Sequence, residues 1–466
     1  MASEIEKESG ERAARPHPFA WWTIPAVLAA VGYALLPLQS WDYWWHITMG
    51  RLFARTGEIP TEALYLYTME ADAPSFIQPW LSQWILFQIH DLLGLRANLL
   101  VRNLVIAASY GAIGWMAGER AGAPRYGGLL ATAGLLFGFS FLDVRTNLFA
   151  LPLFVGLVGL VYAIRSGRRS IRWLAAFPLA AALWANLHGS FLLPGILCGL
   201  AAGAEVIEGW RGGESDARSI GAWAGAAVAA LLAPLCNPRG VELYGYVRSV
   251  ATDEVVRKTV TEWFPTTLTF PSMAGPLFWL TALAGLGLMV IHRRRVEPFD
   301  ALAFLAFGVL AATQARGLIW FGLVMPMTWA AYLAEPEAER SEAEMSTRWS
   351  GAGRIVAVLL VVGALLVQPI WPWWRGLVEA YRSVPVRQQA PYEGAVLQQT
   401  PVDLLEPLRR LGPGRLFHDE SHAGFLLFHL TEEEPRRMVF VVFFNDTATT
   451  EIWRAYFRAS RATGWR

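Results

Sequence analysis

The chain has 466 residues, 54% of them hydrophobic and only 17% charged, with 22 Trp, a net charge of +1 and a mean hydropathy of +0.34. A soluble domain carries about 25% charged residues, so an ordinary water-soluble globule is excluded. The near-zero net charge removes the electrostatic case for a nucleic-acid partner. The two cysteines, Cys198 and Cys236, give neither a zinc spacing nor a disulfide framework.

Residues 1–18 are polar and mixed in charge, and read as a cytoplasmic tail. The first apolar run, 19–38, matches the roughly 20 residues needed to cross a bilayer. It lacks a small-residue cleavage site, so it reads as a retained helix rather than a signal peptide. It leads directly into Trp41-Asp42-Tyr43-Trp44-Trp45-His46, an acid and an imidazole among aromatics of the kind that settle at headgroup level. Residues 47–96 are amphipathic and read as a first outer loop of interfacial helices. That loop contains Gly57-Glu58-Ile59-Pro60 and Gln78-Pro79-Trp80-Leu81-Ser82-Gln83-Trp84.

Further spans are predicted at 98–116, 126–142, 148–164, 173–187, 191–207, 220–235, 275–291, 299–312, 318–333 and 355–370. The fold class is therefore an all-α polytopic membrane protein of about eleven helices, occupying 19–371. With the N-terminus inside, the short loops carrying Arg120 and Arg125, the basic hinge 165–172, Arg211 and Arg218, and the triplet Arg293-Arg294-Arg295 all fall on the inner side. The polar groups Asp42, His46, Asp143, Arg145, Asn186, His188, Asn237, Arg239, Glu262, Gln314 and Arg316 then share the outer side. Polar side chains converging at one membrane face are costly unless they have a function.

From residue 372 the chain turns soluble in character. Residues 415–418 and 424–428 read as strands, and 372–466 as a small extracytoplasmic α/β domain, too short to be complete. The run 443–452 resembles the translation of a sequencing adapter, so Asn445-Asp446-Thr447 is not read as a glycosylation acceptor.

Trp41-Asp42-Tyr43-Trp44-Trp45-His46, Gly50-Arg51, Gly57-Glu58-Ile59-Pro60, Trp80-Leu81-Ser82-Gln83 and Trp184-Ala185-Asn186-Leu187-His188-Gly189-Ser190-Phe191 together resemble bacterial integral-membrane glycosyltransferases of the GT-C superfamily. The resemblance extends over about residues 20–440. It implies a many-helix bundle in the inner membrane, with the C-terminus outside. It also implies transfer of a sugar from a polyprenyl-phosphate donor to an acceptor on the outer face, with an acid in the first outer loop as general base. By position that acid is Asp42. His188, Asn186, Arg145, Arg239 and Arg316 are the candidates for binding the donor phosphate or the acceptor, and His46, Glu58, Gln83 and Glu262 are possible supporting residues.

Each has a plainer alternative. Asp42 could cap a helix, His188 could end one, the arginines could snorkel, and Glu262 could be solvated. Some GT-C members use a divalent cation, but no ligand set stands out here and no cofactor is expected. The expected partners are the lipid-linked donor, an acceptor of unspecified class and membrane lipids. The rival function is a non-catalytic membrane scaffold, or a transporter of lipid or polysaccharide.

Overall fold

The computed structural model describes residues 20–70, 72–212, 216–253, 257, 258, 260–269, 273–333, 350–374, 376, 377, 385, 387–431, 438–440 and 450–460. The tail 1–18 and residues 443–449 of the adapter-like run lie outside them. Among the described residues the secondary structure is helical, and strand pairing is limited to isolated bridges.

The chain opens with α1 (Thr23–Ala34), α2 (Asp42–Thr56) and α3 (Trp80–Leu93). The bundle continues with α4 (Leu95–Ala121), α5 (Pro124–Gly138), α6 (Ala150–Arg165), α7 (Ala176–Leu187), α8 (Leu193–Trp210) and α9 (Ala217–Leu232). After α10 (Glu242–Thr252) come α11 (Ala274–Ile291), α12 (Pro298–Thr313), α13 (Leu318–Ala330) and α14 (Ser350–Leu366). The C-terminal part holds α15 (Leu405–Leu411), α16 (Ala423–Leu430) and α17 (Thr450–Ser460).

Four stretches, Leu95–Ala121, Thr146–Arg165, Ala217–Cys236 and Ala274–Ile291, are long and apolar enough to cross a membrane. Shorter apolar helices cover Thr23–Ala34, Ile171–Leu187, Pro298–Thr313 and Ile355–Leu366. Leu179, Leu280, Val309 and Leu359 are exposed on these helices. So much outward-facing apolar surface suits lipid rather than water, as in a multi-pass membrane protein. The centre is α13, buried almost throughout against α5, α12 and α4.

Each predicted span carries a helix, but α1 stops at Ala34, short of its apolar run. The cause is local. The guanidinium of the buried Arg102, on α4, donates to the carbonyls of Tyr33, Leu36 and Pro37, drawing the chain out of helix just before Pro37.

The region 47–96 is a packed helical pair. Helix α2 ends at Gly57, whose left-handed φ of +72° lets its N–H close on Phe53 O. Helix α3 crosses α2 at Gly50, where a Cβ would lie 2.1 Å from Gln83 O. Only a glycine permits that approach.

The C-terminal part departs from the α/β expectation. Residues 424–428 lie in helix α16, and Leu416 of the other expected strand makes a single bridge to Val439. A short continuous apolar run has no diagnostic period, and here burial decides. Phe425, Leu426 and Leu427 are buried as α16 lies on α2. Arg51 of α2 donates to Phe428 O and Thr431 O, closing the C-terminal end of α16. Helix α17 begins within the adapter-like run and buries Trp453 and Tyr456, the latter beside Phe417 and Phe440.

Candidate functional site

Asp42 occupies the first position of α2, after Trp41 at the N-cap. Its carboxylate does not stay on its own helix but pairs with Arg145. The second arm of the same guanidinium pairs with Glu262. One cation thus bridges two acids that are 220 residues apart in the chain, a separation given by 262 − 42. All three side chains are largely buried, at 14%, 21% and 22% exposure for Asp42, Arg145 and Glu262.

Local structure explains the convergence. Arg145 projects from a turn between α5 and α6, where its N–H closes on Asp143 O and its carbonyl accepts from Leu148 N–H. Glu262 sits in a single 3-10 turn, Thr261–Trp263, pinned to the end of α12. Ala315 N–H donates to Phe264 O at 2.9 Å, Thr266 N–H to Ala312 O at 3.0 Å, and Thr266 Oγ1 to Ala311 O at 2.6 Å. That pairing carries Arg316 to the same place, with its guanidinium 4.6 Å from the Trp263 ring centroid. Among the described residues Arg316 makes no hydrogen bond and no ion pair, although Glu262 and Asp42 act on it electrostatically. Burial lowers its pKa.

The two acids sit in different fields. Burial raises Asp42 to about 6 against the pull of Arg145, and the charge of Glu262 adds to the rise. For Glu262 burial also raises, but Arg145 and Arg316 together more than offset it and hold the carboxyl below its usual value. Two carboxyls pushed apart in this way can take different roles, one exchanging a proton and one remaining anionic.

His188 follows the last residue of α7. Its Nδ1 accepts from Ser190 N–H at 3.2 Å and lies 2.7 Å from Ser190 Oγ, which itself accepts from Trp184 Nε1–H. This assigns the ring proton to Nε2, which makes no hydrogen bond among the described residues. Burial, then Arg316 and Arg145, keep the imidazole neutral. His46, one turn after Asp42, turns instead to Gln83, with Nδ1 3.2 Å from Gln83 Nε2. Burial and then Arg145 hold its pKa down to about 3.

Other residues expected at the site are engaged elsewhere. Asn186 Oδ1 accepts from Trp80 Nε1 at 2.7 Å and Asn237 Nδ2 at 3.1 Å, and its own Nδ2 donates to Ala182 O. It joins helix ends rather than facing the acids. Arg239 pairs with Glu242 and lies 4.6 Å over the Phe76 ring. Glu58 is exposed beyond the far end of α2, about 20 Å along the helix from Asp42 at 1.5 Å per residue. Among the described residues no group of three or more His, Cys, Asp or Glu is placed to hold a metal ion.

One residue missed by the sequence reading is Arg102, 1% exposed and within the second apolar run, which donates to Asp143 at 2.7 Å. An arginine inside an apolar helix was the signal available.

No family model and no curated protein matches this chain. Among solved structures it is similar to the crystal structure of the Archaeoglobus fulgidus oligosaccharyltransferase in the apo form, at 11% identity and a TM-score of 0.49, over 90% of this chain and 64% of that one.

Proposed function

We propose that this protein is a membrane glycosyltransferase that moves a sugar from a polyprenyl-phosphate donor to a hydroxyl acceptor at the outer face, with Asp42 as general base. The observation that carries the reading is Arg316, a cation with no hydrogen bond and no ion pair among the described residues, within electrostatic reach of Asp42, whose carboxyl burial lifts to about 6. A cation in a half-buried site without an acceptor is a place for an anion. A carboxylate titrating near neutrality suits a base, whose contribution is typically about 10²–10⁴-fold.

The step balances as follows. The acceptor oxygen forms a bond to the anomeric carbon as its proton passes to Asp42. The bond from that carbon to the phosphate oxygen breaks, and the electron pair leaves with the lipid phosphate. Arg316 and the Nε2–H of His188 receive the charge that grows on the phosphate. Glu262 stays anionic and keeps Arg145 directed at Asp42.

Charge supports a monophosphate. A phosphodiester carries a single charge, and Arg316 is a cation with no hydrogen bond and no ion pair among the described residues to meet it. The same orientation puts the N-terminus in the cytoplasm and the C-terminal helices outside, in a bacterial inner membrane.

The test is transfer by the purified protein in lipid nanodiscs, using a panel of polyprenyl-phosphate sugars. Wild type should transfer at least one sugar, and folded Asp42→Asn should lose about 10²-fold or more. Undiminished transfer by Asp42→Asn would remove Asp42 as the base. The rival scaffold reading gains only if no donor in the panel binds.

A further inference from the structure

The segment between α1 and α2 has no regular structure, yet each residue from Leu36 to Ser40 has a backbone polar group with a partner. The carbonyls of Leu36 and Pro37 accept from Arg102 at 2.9 and 3.4 Å. Leu38 N–H donates to Ala395 O at 2.8 Å. Gln39 and Ser40 N–H both donate to Asp143 Oδ2, at 2.8 and 2.6 Å. The other oxygen, Asp143 Oδ1, accepts from Arg102 Nη1 at 2.7 Å. Arg102 Nε donates to Asn103 Oδ1, and Asn103 Nδ2 donates in turn to Gln368 Oε1 at 2.8 Å. The chain of contacts therefore runs from the end of α14, through α4, to the two residues immediately before Trp41 and Asp42.

Asp143 and Arg145 are two positions apart on one turn. The first holds the backbone that leads into α2, and the second holds the side chain of its first residue. We infer that Asp143 and Arg102 are positioning residues for Asp42, an ion pair that fixes where the carboxylate stands. The inference rests on Asp42 being the proposed base, but it makes a claim about geometry that survives without turnover. An ion pair this deeply buried is weak evidence for stability alone, because desolvation cancels much of its attraction. Its engagement with four of the five backbone positions from Leu36 to Ser40 suits the fixing of a geometry.

The experiment uses the full chain in nanodiscs and two readouts. The first is an infrared pH titration of the protonated carboxyl band that Asp42→Asn abolishes. In Asp143→Asn the band should titrate at lower pH, since a neighbouring negative charge that raises it has been removed. The second is the kinetic split: kcat falls about tenfold, while KM for the lipid-linked sugar stays within about twofold because Arg316 is untouched. An unmoved band together with an unchanged kcat in folded Asp143→Asn would overturn the proposal.

Should Asp143→Asn fail to fold, Gln39→Pro removes one N–H from the clamp and leaves the ion pair intact. The proposal then requires a lower kcat at constant KM, and an unchanged kcat overturns it. If wild type turns over no donor but the Asp42 band still shifts in Asp143→Asn, the glycosyltransferase reading fails and the positioning role stands.

Discussion

Two buried ion clusters lie at opposite ends of the bundle, and their difference is instructive. Arg102 and Arg120, both on α4, mark them, about 27 Å apart at 1.5 Å per residue. At the Arg120 end the cluster is closed. Arg120 reaches Asp300 at 2.6 Å and Glu297 at 3.2 Å, and Tyr162 donates to the second oxygen of Asp300 at 2.7 Å. Arg165 nearby meets Glu205 and Glu208. Each guanidinium there has its carboxylates, and the arrangement ties α4, α6, α8 and α12 together. At the Asp42 end two acids share Arg145, and among the described residues Arg316 has the face of Trp263 but no hydrogen bond and no ion pair. A closed cluster holds helices, whereas an open one can take a ligand.

The largest effect should come from exchanging lesions between the ends. Arg120→Met leaves Asp300 buried with a tyrosine alone and should cost about 3–5 kcal/mol of stability, read as a fall in melting temperature. Asp42→Asn should do the reverse. Because the folded pKa of Asp42 lies above that of a free carboxyl, protonation favours the fold, and ionisation withdraws that stability as pH rises through about 6. At pH 8 the neutral asparagine should therefore melt no lower than wild type and be more stable by on the order of 1–3 kcal/mol, while transfer collapses. A melting temperature that falls in Asp42→Asn as far as in Arg120→Met would make both ends structural.

Next comes Arg316. Arg316→Gln removes no ion pair among the described residues, so its melting temperature should stay close to wild type. KM for the phosphate-linked donor should rise by about 10- to 100-fold, the value of one or two charge-assisted hydrogen bonds. A KM within error of wild type would place the phosphate elsewhere.

A smaller effect is expected in the pH profile. In wild type kcat/KM should rise with pH through about 6 as Asp42 loses its proton, then level off. Glu262 holds that value up, so Glu262→Gln should move the acidic limb to lower pH. A limb that moves upward, or stays in place, would show that the two acids do not share one field.

How much of this was legible beforehand follows from the range of each signal. The helical spans announce themselves because about twenty apolar residues in a row are a local property. Asp42, Arg145 and Arg316 are visible as polar residues near span ends and Glu262 as one in a loop, but their meeting depends on the pairing of 264–266 with 311–315, which no local pattern encodes. Asn186 and Arg239 looked identical to them in sequence and differ only in having neighbours of their own. Helix α16 was misread as a strand because five apolar residues carry no period, and its conformation is set by the surface of α2 beneath it.

That surface gives the smallest effect and a test of whether the C-terminal helices belong to the open end. A Cβ on Gly424 would lie 2.6 Å from Trp45 N and 3.2 Å from Trp44 C, so Gly424→Ala must lift α16 away from the backbone of α2. Backbone cannot yield as a flexible side chain does, and the cost should be about 1–3 kcal/mol in thermal stability. Helix α2 is also held by α3 at Gly50 and by the Asp143 clamp at its start, so Asp42 should shift little. Transfer should fall by only about two- to fivefold, with the acidic limb near pH 6 unmoved. A loss as large as that of Asp42→Asn would instead make α16 part of the open end, reached through His422, the residue before α16, whose ring lies 5.9 Å from that of Trp41.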